Sequence, residues 1–213
     1  MTRPCNKEIL MPTLTALQSV PPSVYGLVRD FRVRWALEEI GESYDELIQS
    51  NKALKSSAYK KFQPFNQVPA LKEGNLVLFE SGAIVMHLAE SNEELMPKDE
   101  ESRALIKTWM WAALNTVEPH LMFLFYFPKA NEETPAIREM KKTIIDAQEE
   151  RLEQLSDFID GKDYLVGEFS AADLLMTHVL ELAKHNNLLS KFPKLIAYHK
   201  RCSERPAFIK ARE

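Results

Sequence analysis

Residues 66–86 place a proline at the mouth of one apolar run and an acid–hydroxyl pair after the next. The stretch reads NQVPALKEGNLVLFESGAIVM, and its two apolar runs are joined through KEG at 72–74. This pattern predicts a β-hairpin followed by a helix that begins at Ser81. Because proline cannot donate to a strand ladder, Pro69 must lie at the beginning of a strand or on a sheet edge.

The Val68-Pro69 peptide bond has two possible geometries with different consequences. A trans bond makes an ordinary strand entrance and is by far the commoner form. A cis bond, found in about 5–6% of X-Pro bonds in folded proteins, turns the chain sharply and leaves the backbone N–H and C=O of Val68 pointing outward. An extended peptide could then pair with Val68.

The Glu80-Ser81 pair also has two interpretations. Serine is a favoured N-cap and an acid interacts well with the helix dipole, so the pair can simply start a helix. The same carboxylate, hydroxyl and free N–H groups can instead hold the ammonium and the carboxylate of an α-amino acid.

Apolar spacing and turn residues predict the order βαβ-α-ββα in the first 90 residues. The expected elements are a strand at 13–20, a helix from Val28 to Ile40, a strand at 44–48, a helix at 52–62, the hairpin, and a helix from Ser81 to Ala89.

Residues 91–102 (SNEELMPKDEES) are polar and contain one proline, which is typical of a linker between domains. Everything beyond this linker has helical periodicity, with helices expected at 103–127, 135–159, 171–184 and 192–203. We therefore expect an α/β domain at 1–90 and an all-helical domain at 103–213. In the second domain, Ser170-x-x-Asp173 predicts a capping box.

Composition and charge exclude several classes of protein. A length of 213 residues with 45% hydrophobic side chains is sufficient for a real core. The net charge of -4 gives no reason to expect a nucleic-acid partner. The longest apolar stretch, 121–127, is too short to span a bilayer, and the N-terminus lacks a secretory signal, so we expect a cytoplasmic protein.

The cysteines and histidines indicate neither a disulfide framework nor a metal site. Cys5 precedes the first strand and Cys202 lies near the C-terminus, so neither is expected to act as a nucleophile. The five histidines never pair at helical ligand spacing, and we expect no metal.

Five segments, taken in order, resemble the cytosolic glutathione transferases of bacterial type. They are VRDFRVRWALEEIGESYDE, PFNQVPAL, ESGAIVMHLAE, WAALNTVEPHL and VGEFSAADLLMTHVL, and the likeness extends from about residue 13 to 205. The resemblance implies a thioredoxin-like N-terminal domain (α/β), a C-terminal helical bundle (all-α), and a homodimer.

The resemblance also implies a glutathione site. Val68 would offer its backbone to the cysteinyl part of glutathione with Pro69 cis, while Glu80 and Ser81 would hold the γ-glutamyl end. Gln67 would lie beside the peptide. Lys55 falls where similar proteins direct a basic or amide side chain toward the glycyl carboxylate, although a solvated lysine explains this position equally well.

The group that would face the glutathione sulfur is not evident. Many relatives have a serine, tyrosine or cysteine after the first strand, but an ungapped alignment puts Leu27 or nearby residues there. Ser23 and Tyr25 are the hydroxyl candidates and Arg29 is the cationic one. We rank Arg29 first, because a cation beside a helix N-terminus needs less exact aim than a hydroxyl to favour a thiolate.

Taken together, these features predict a glutathione transferase that attaches glutathione, as co-substrate, to small apolar electrophiles in a pocket that includes Trp111 and Asn115. Glutathione-dependent peroxide reduction is a further possibility. The alternative is a non-catalytic regulatory or scaffold protein of the same fold. Glutathione-dependent isomerisation is disfavoured, since the loop at 20–29 lacks a serine–cysteine cluster.

Overall fold

A computed structural model describes residues 11–127 and 134–213 of the chain. Cys5 lies outside these residues. Within the described ranges, no helix combines the length and the apolar character that crossing a membrane requires.

The N-terminal part contains a mixed four-stranded sheet in the order β2-β1-β3-β4. Its strands are β1 (Thr13–Leu17), β2 (Asp45–Gln49), β3 (Ala70–Glu73) and β4 (Leu76–Phe79). The β1 and β2 strands are parallel, whereas β3 is antiparallel to both β1 and β4. This arrangement agrees with the predicted βαβ unit and hairpin.

Nine α-helices lie in the described part of the chain. They are α1 (Asp30–Glu39), α2 (Asn51–Leu54), α3 (Ser81–Glu90), α4 (Glu100–Ala112), α5 (Glu118–Tyr126), α6 (Pro135–Phe158), α7 (Ala171–His185), α8 (Pro193–Ser203) and α9 (Pro206–Ala211). A π-helical segment, Ala113–Val117, makes α4 and α5 continuous, as the predicted helix at 103–127 requires.

The predicted helix at 52–62 is wrong. The structure has the single turn of α2 and then a separate 3₁₀ turn at Tyr59–Lys61. Ser50 caps α2, since its Oγ accepts from the N–H of Ala53, and Ser56 Oγ accepts from the N–H of Tyr59 between the two turns, each at 3.1 Å. Serines that bond to nearby backbone groups interrupt a helix in this way.

Two further boundaries differ from the sequence prediction. The α4 helix begins at Glu100, inside the stretch predicted as linker, because the Asp99 carboxylate accepts from the N–H of Ser102 at 2.8 Å and caps the first turn. The short helix α9 was not predicted at all, since six residues are too few to show a clear period.

Helix α1 lies between the sheet and the helical bundle and joins the two. Phe208 on α9 packs edge-on against Phe31 and Trp35 of α1, with ring centroids 5.0 and 4.8 Å apart. Both α1 residues are buried. This aromatic packing fixes the position of α1 against α9.

The predicted capping box is present at the start of α7, where Asp173 accepts from the N–H of Ser170 at 3.0 Å.

Candidate functional site

Two adjoining cavities open between the sheet domain and helices α4 and α5. The larger cavity has a volume of about 630 Å³ and the smaller about 320 Å³. Four residues line both: Arg29, Gln67, Met122 and Tyr126. The cavities therefore meet at Arg29, which immediately precedes α1.

The polar wall of the larger cavity is the N-terminus of α3. Glu80 precedes the helix with φ 68°, a conformation that a non-glycine residue rarely adopts. Such backbone strain costs about 1–3 kcal/mol and persists where the surrounding structure enforces it, which is often at functional sites. Ser81 follows as a buried residue, while Glu80 is exposed to the cavity.

Side chains from the sheet domain hold the Gln67–Pro69 segment in place. Gln63 Oε1 accepts from the N–H of Gln67 at 3.1 Å, and Tyr59 donates its hydroxyl to the carbonyl of Gln67 at 2.7 Å. The Val68-Pro69 bond is cis. Val68 lines the smaller cavity, and its backbone belongs to none of the ladder pairs that join β3 to its neighbours.

Arg32 lies in the wall of the larger cavity and is a buried charge with three side-chain partners. Its side chain is 1% exposed. Nη1 donates to Ser81 Oγ at 3.1 Å, and Nε donates to Nδ1 of His178 at 2.9 Å. Nη2 lies 3.0 Å from Glu118 Oε2 in an ion pair that lacks good hydrogen-bond alignment. One guanidinium thus connects α1, α3, α5 and α7.

Glu118, the first residue of α5, pairs with both arginines. Arg29 donates through Nε and Nη2 to Oε1 of Glu118, at 3.0 and 2.9 Å. Burial alone would raise the pKa of the Glu118 carboxyl, but the charges of Arg32 and Arg29 outweigh it and hold this pKa below its usual value. Glu118 is therefore a carboxylate at neutral pH.

His178 completes this cluster as a neutral imidazole. Complete burial, followed by the positive charges of Arg32 and Arg29, holds the pKa of His178 well below its usual value. Because Nδ1 accepts from Arg32, the ring proton of the neutral form must be on Nε2.

The structure brings most of the predicted site residues to the two cavities. Glu80, Ser81, Trp111 and Asn115 line the larger one, Val68 lines the smaller one, and Gln67 and Arg29 line both. Pro69 lies directly behind Val68 and is buried.

Ser23 and Tyr25 are not brought to either cavity. Ser23 is exposed, within a 3₁₀ turn at 22–24. Tyr25 is also exposed, and it donates its hydroxyl to the carbonyl of Arg212 at 2.6 Å, next to the C-terminal helix. Of these three candidates, only Arg29 lies at the junction of the two cavities.

Lys55 is likewise outside both cavities. It is an exposed residue at the end of α2, and the same helix presents Asn51 and Leu54 to the smaller cavity instead.

The start of α1 was expected to supply partial positive charge to the site. The buried carboxylate of Asp30 lies in the first turn of α1 and offsets part of the positive end of the helix dipole.

Apolar side chains from α4, α5 and the π-helical segment form the wall that faces α3. They are Trp111, Leu114, Met122, Phe123 and Tyr126. A π-helical turn at this place is consistent with a functional site, where such turns are frequent.

Sequence reasoning missed Arg32, Glu118 and His178. A buried charge is paired with groups that are distant along the chain, and no local pattern reveals these partners. The only available signals were an arginine on the apolar face of α1 and a glutamate before Pro119 at the start of a helix.

Within the described residues, possible metal ligands and the Cys202 thiol give no second candidate site. Among residues 11–127 and 134–213 there is no cluster of three side chains that could hold a metal ion. Burial raises the pKa of the Cys202 thiol to about 12, which leaves it unreactive at neutral pH.

Comparisons with known families agree with this architecture. Residues 23–90 match the family description "Glutathione S-transferase, N-terminal domain", and residues 115–211 match "Glutathione S-transferase, C-terminal domain". A relative from Zea mays, "Glutathione S-transferase 1", is 30% identical over 210 residues, which cover 89% of this chain and 95% of that protein.

Solved structures show the same fold. A glutathione transferase from Pseudomonas putida, with one glutathione disulfide bound per subunit, has a TM-score of 0.82 at 23% identity and covers 95% of this chain and 91% of that one. Ure2p in complex with glutathione also has a TM-score of 0.82, at 21% identity, with 95% and 98% covered. The predicted fold class, a thioredoxin-like domain followed by a helical bundle, is confirmed.

The contact between Gly82 and Leu114 gives a test of how the cavity wall is packed. A Cβ at Gly82 would overlap Cδ1 of Leu114. We expect Gly82→Ala to destabilise the protein by about 1–3 kcal/mol through overpacking. In a Leu114→Ala background the same change should be neutral or stabilising, because alanine is the better helix former by about 1 kcal/mol.

Chemical denaturation of the parent, the two single variants and the double variant measures this coupling. An equal cost of Gly82→Ala in both backgrounds would show that Leu114 does not pack on Gly82.

Proposed function

Because the chain belongs to the glutathione S-transferase family, we propose that it binds glutathione where the two cavities meet and attaches it, through its sulfur, to small apolar electrophiles. The observation that carries this proposal is the position of Arg29. This cation lies between the polar N-terminus of α3, the backbone of Val68 and an aromatic wall.

The groups at the start of α3 match the two charges of an α-amino acid. The Glu80 carboxylate can accept from the ammonium of the γ-glutamyl end, while the Ser81 hydroxyl and the first N–H groups of α3 can donate to its carboxylate. Since Ser81 Oγ already accepts from Arg32, its hydroxyl proton is free to donate to that carboxylate. Val68 can pair through its backbone with the cysteinyl part.

Arg29 supplies the positive charge that a thiolate requires. A thiol with a pKa of about 8.5 is only about 3% ionised at pH 7, and lowering this pKa by about 2 raises the ionised fraction to roughly three quarters. A cation within about 4–6 Å lowers the pKa of an acid by about 1–3. The Arg29 side chain is 39% exposed, so part of its guanidinium is accessible to a ligand.

In the proposed reaction the thiol proton leaves to solvent and the thiolate lone pair forms a carbon–sulfur bond with the electrophile. The leaving group departs with the electron pair of the bond that breaks. Trp111, Met122 and Phe123 would bury the apolar part of the electrophile and orient it toward the sulfur, which converts binding energy into proximity.

One observation favours the non-catalytic alternative. Neither Ser23 nor Tyr25 lines the two cavities of the site, and Arg29 is already paired with Glu118. A protein that binds glutathione without lowering the pKa of its thiol would retain recognition and lose turnover. Peroxide reduction, the homodimer and the cytoplasmic location stay predictions.

Glutathione binding can be tested by thermal unfolding. A ligand that binds only the folded state, present at about 100 times its Kd, adds about 2.7 kcal/mol, so reduced glutathione should raise Tm by several degrees. The Glu80→Ala/Ser81→Ala variant should lose this rise. The exposed pair Ser91 and Glu93, changed to alanine together, is the matched control and should keep it.

An equal rise in the Glu80/Ser81 double variant would place the ligand elsewhere. No rise in the parent at millimolar glutathione would contradict the proposed function.

The role of Arg29 can be tested through the thiol of bound glutathione. Its pKa, followed by thiolate absorbance, should rise by about 1–2 in Arg29→Ala, and turnover of an activated chloroarene at neutral pH should fall about 10-fold or more. The pKa of the bound thiol and the turnover should stay unchanged in Ser23→Ala and Tyr25→Phe. They should also stay unchanged in the control Arg201→Ala, whose arginine lies on α8 and pairs with Asp163.

A rise in pKa only in Ser23→Ala or Tyr25→Phe would favour the hydroxyl mechanism over Arg29. An unperturbed thiol in the parent, together with no turnover, would favour the non-catalytic alternative.

A further inference from the structure

We propose that Glu118 is a positioning residue that holds Arg29 at the junction of the cavities and limits how much of its positive charge reaches the glutathione sulfur. This inference rests on the proposed function and deepens it. It assigns to α5, which supplies the wall of the apolar cavity, a second role in setting the reactivity of the thiol.

The geometry of the pair supports the positioning part of this role. Two nitrogens of Arg29, Nε and Nη2, donate to the single oxygen Oε1 of Glu118. Glu118 is nearly buried, and its other oxygen faces the buried Arg32. Because the Glu118 carboxylate is held in the interior by Arg32, it fixes the position of the more exposed Arg29 guanidinium.

The charges of Arg29, Arg32 and Glu118 support the second part of the role, in which Glu118 limits the positive charge that reaches the sulfur. Two guanidinium groups face one carboxylate, which leaves one net positive charge beside the cavity junction. Other charged groups near the cluster are Glu80 at the start of α3, Asp30 next to Arg29 in the chain, and Arg212 beyond α9, which pairs with Glu181. His178 on α7 is neutral. Neutralising Glu118 would therefore leave both arginine charges unopposed from α5.

Glutamine and alanine at position 118 separate the two parts of the role. A glutamine can keep a carbonyl oxygen as acceptor for Arg29 while it removes the negative charge. Alanine removes the charge and the acceptor, so Arg29 can turn toward water. Both changes leave in place the other two partners of Arg32, Ser81 and His178.

The first arm of the experiment measures the pKa of the thiol in bound glutathione. We expect Glu118→Gln to lower this pKa by about 1, the size produced by removing one nearby negative charge. Glu118→Ala should lower it less than Glu118→Gln does, because the cation is no longer held.

The matched control is Glu39→Gln. Glu39 lies at the other end of α1, is nearly buried, and forms a two-bond ion pair with Arg205, at 2.7 Å for each bond. This variant loses an ion pair of the same kind as that between Arg29 and Glu118, outside both cavities, so it reports the effect of losing such a pair elsewhere in the fold. Glu118→Gln also removes the counter-charge of the buried Arg32, so circular dichroism must show that this variant is folded. The thiol pKa should not change in Glu39→Gln.

A second arm needs no glutathione. Leu27 lines the smaller cavity together with Arg29, so Leu27→Cys places a thiol in the same field. In a Cys5→Ser background, the pH dependence of alkylation by iodoacetamide gives the pKa of this introduced thiol. Adding Glu118→Gln should lower that pKa by about 1, and adding Glu39→Gln should leave it unchanged.

The inference is overturned if the pKa of the thiol introduced by Leu27→Cys stays the same or rises on adding Glu118→Gln while circular dichroism shows a folded protein. If Glu118→Gln and Glu118→Ala lower the pKa of the glutathione thiol equally, Glu118 does not control the position of Arg29, and the positioning part of the inference is overturned. Failure of the parent to bind glutathione contradicts the proposed function instead, and the second arm still tests Glu118.

Discussion

A buried arginine at the boundary between the sheet and the helices is the constraint on which the site depends. Arg32 has almost no exposed surface, and it has partners on three other helices: Ser81, Glu118 and His178. Removing one partner from a buried ion pair costs about 3–5 kcal/mol, because a charge is left without compensation. The N-termini of α1, α3 and α5 are therefore held in one arrangement around the cavities.

In the proposed function, this arrangement would link recognition of the glutathione peptide to control of its sulfur. The same guanidinium that orients the Ser81 hydroxyl also shares Glu118 with Arg29. The polar groups at the start of α3 and the cation at the cavity junction are thus parts of one network, and the apolar wall of α5 begins at the central carboxylate of this network. A fold shared across a family acquires its particular chemistry at such sites.

Much of the fold and part of the site were predictable because their signals are local. Pro69, the KEG turn and Glu80-Ser81 lie close together along the chain, and they predicted the hairpin and the start of α3. The partners of Arg32 and Arg29 were not predictable. His178 lies 146 residues from Arg32 and Glu118 lies 89 residues from Arg29, so only the packed fold brings them together. Similarly, the direction of the Tyr25 hydroxyl depends on the carbonyl of Arg212, at the far end of the chain.

The most direct test of this account is a crystal structure of the protein with reduced glutathione, in which the groups around the sulfur can be measured. The account predicts a guanidinium nitrogen of Arg29 within about 3.3–4 Å of the sulfur, slightly beyond ordinary hydrogen-bond lengths because sulfur is the larger atom. Glu118 should remain in contact with the same guanidinium. A sulfur that contacts the hydroxyl of Ser23 or Tyr25, with Arg29 turned away, would contradict the account.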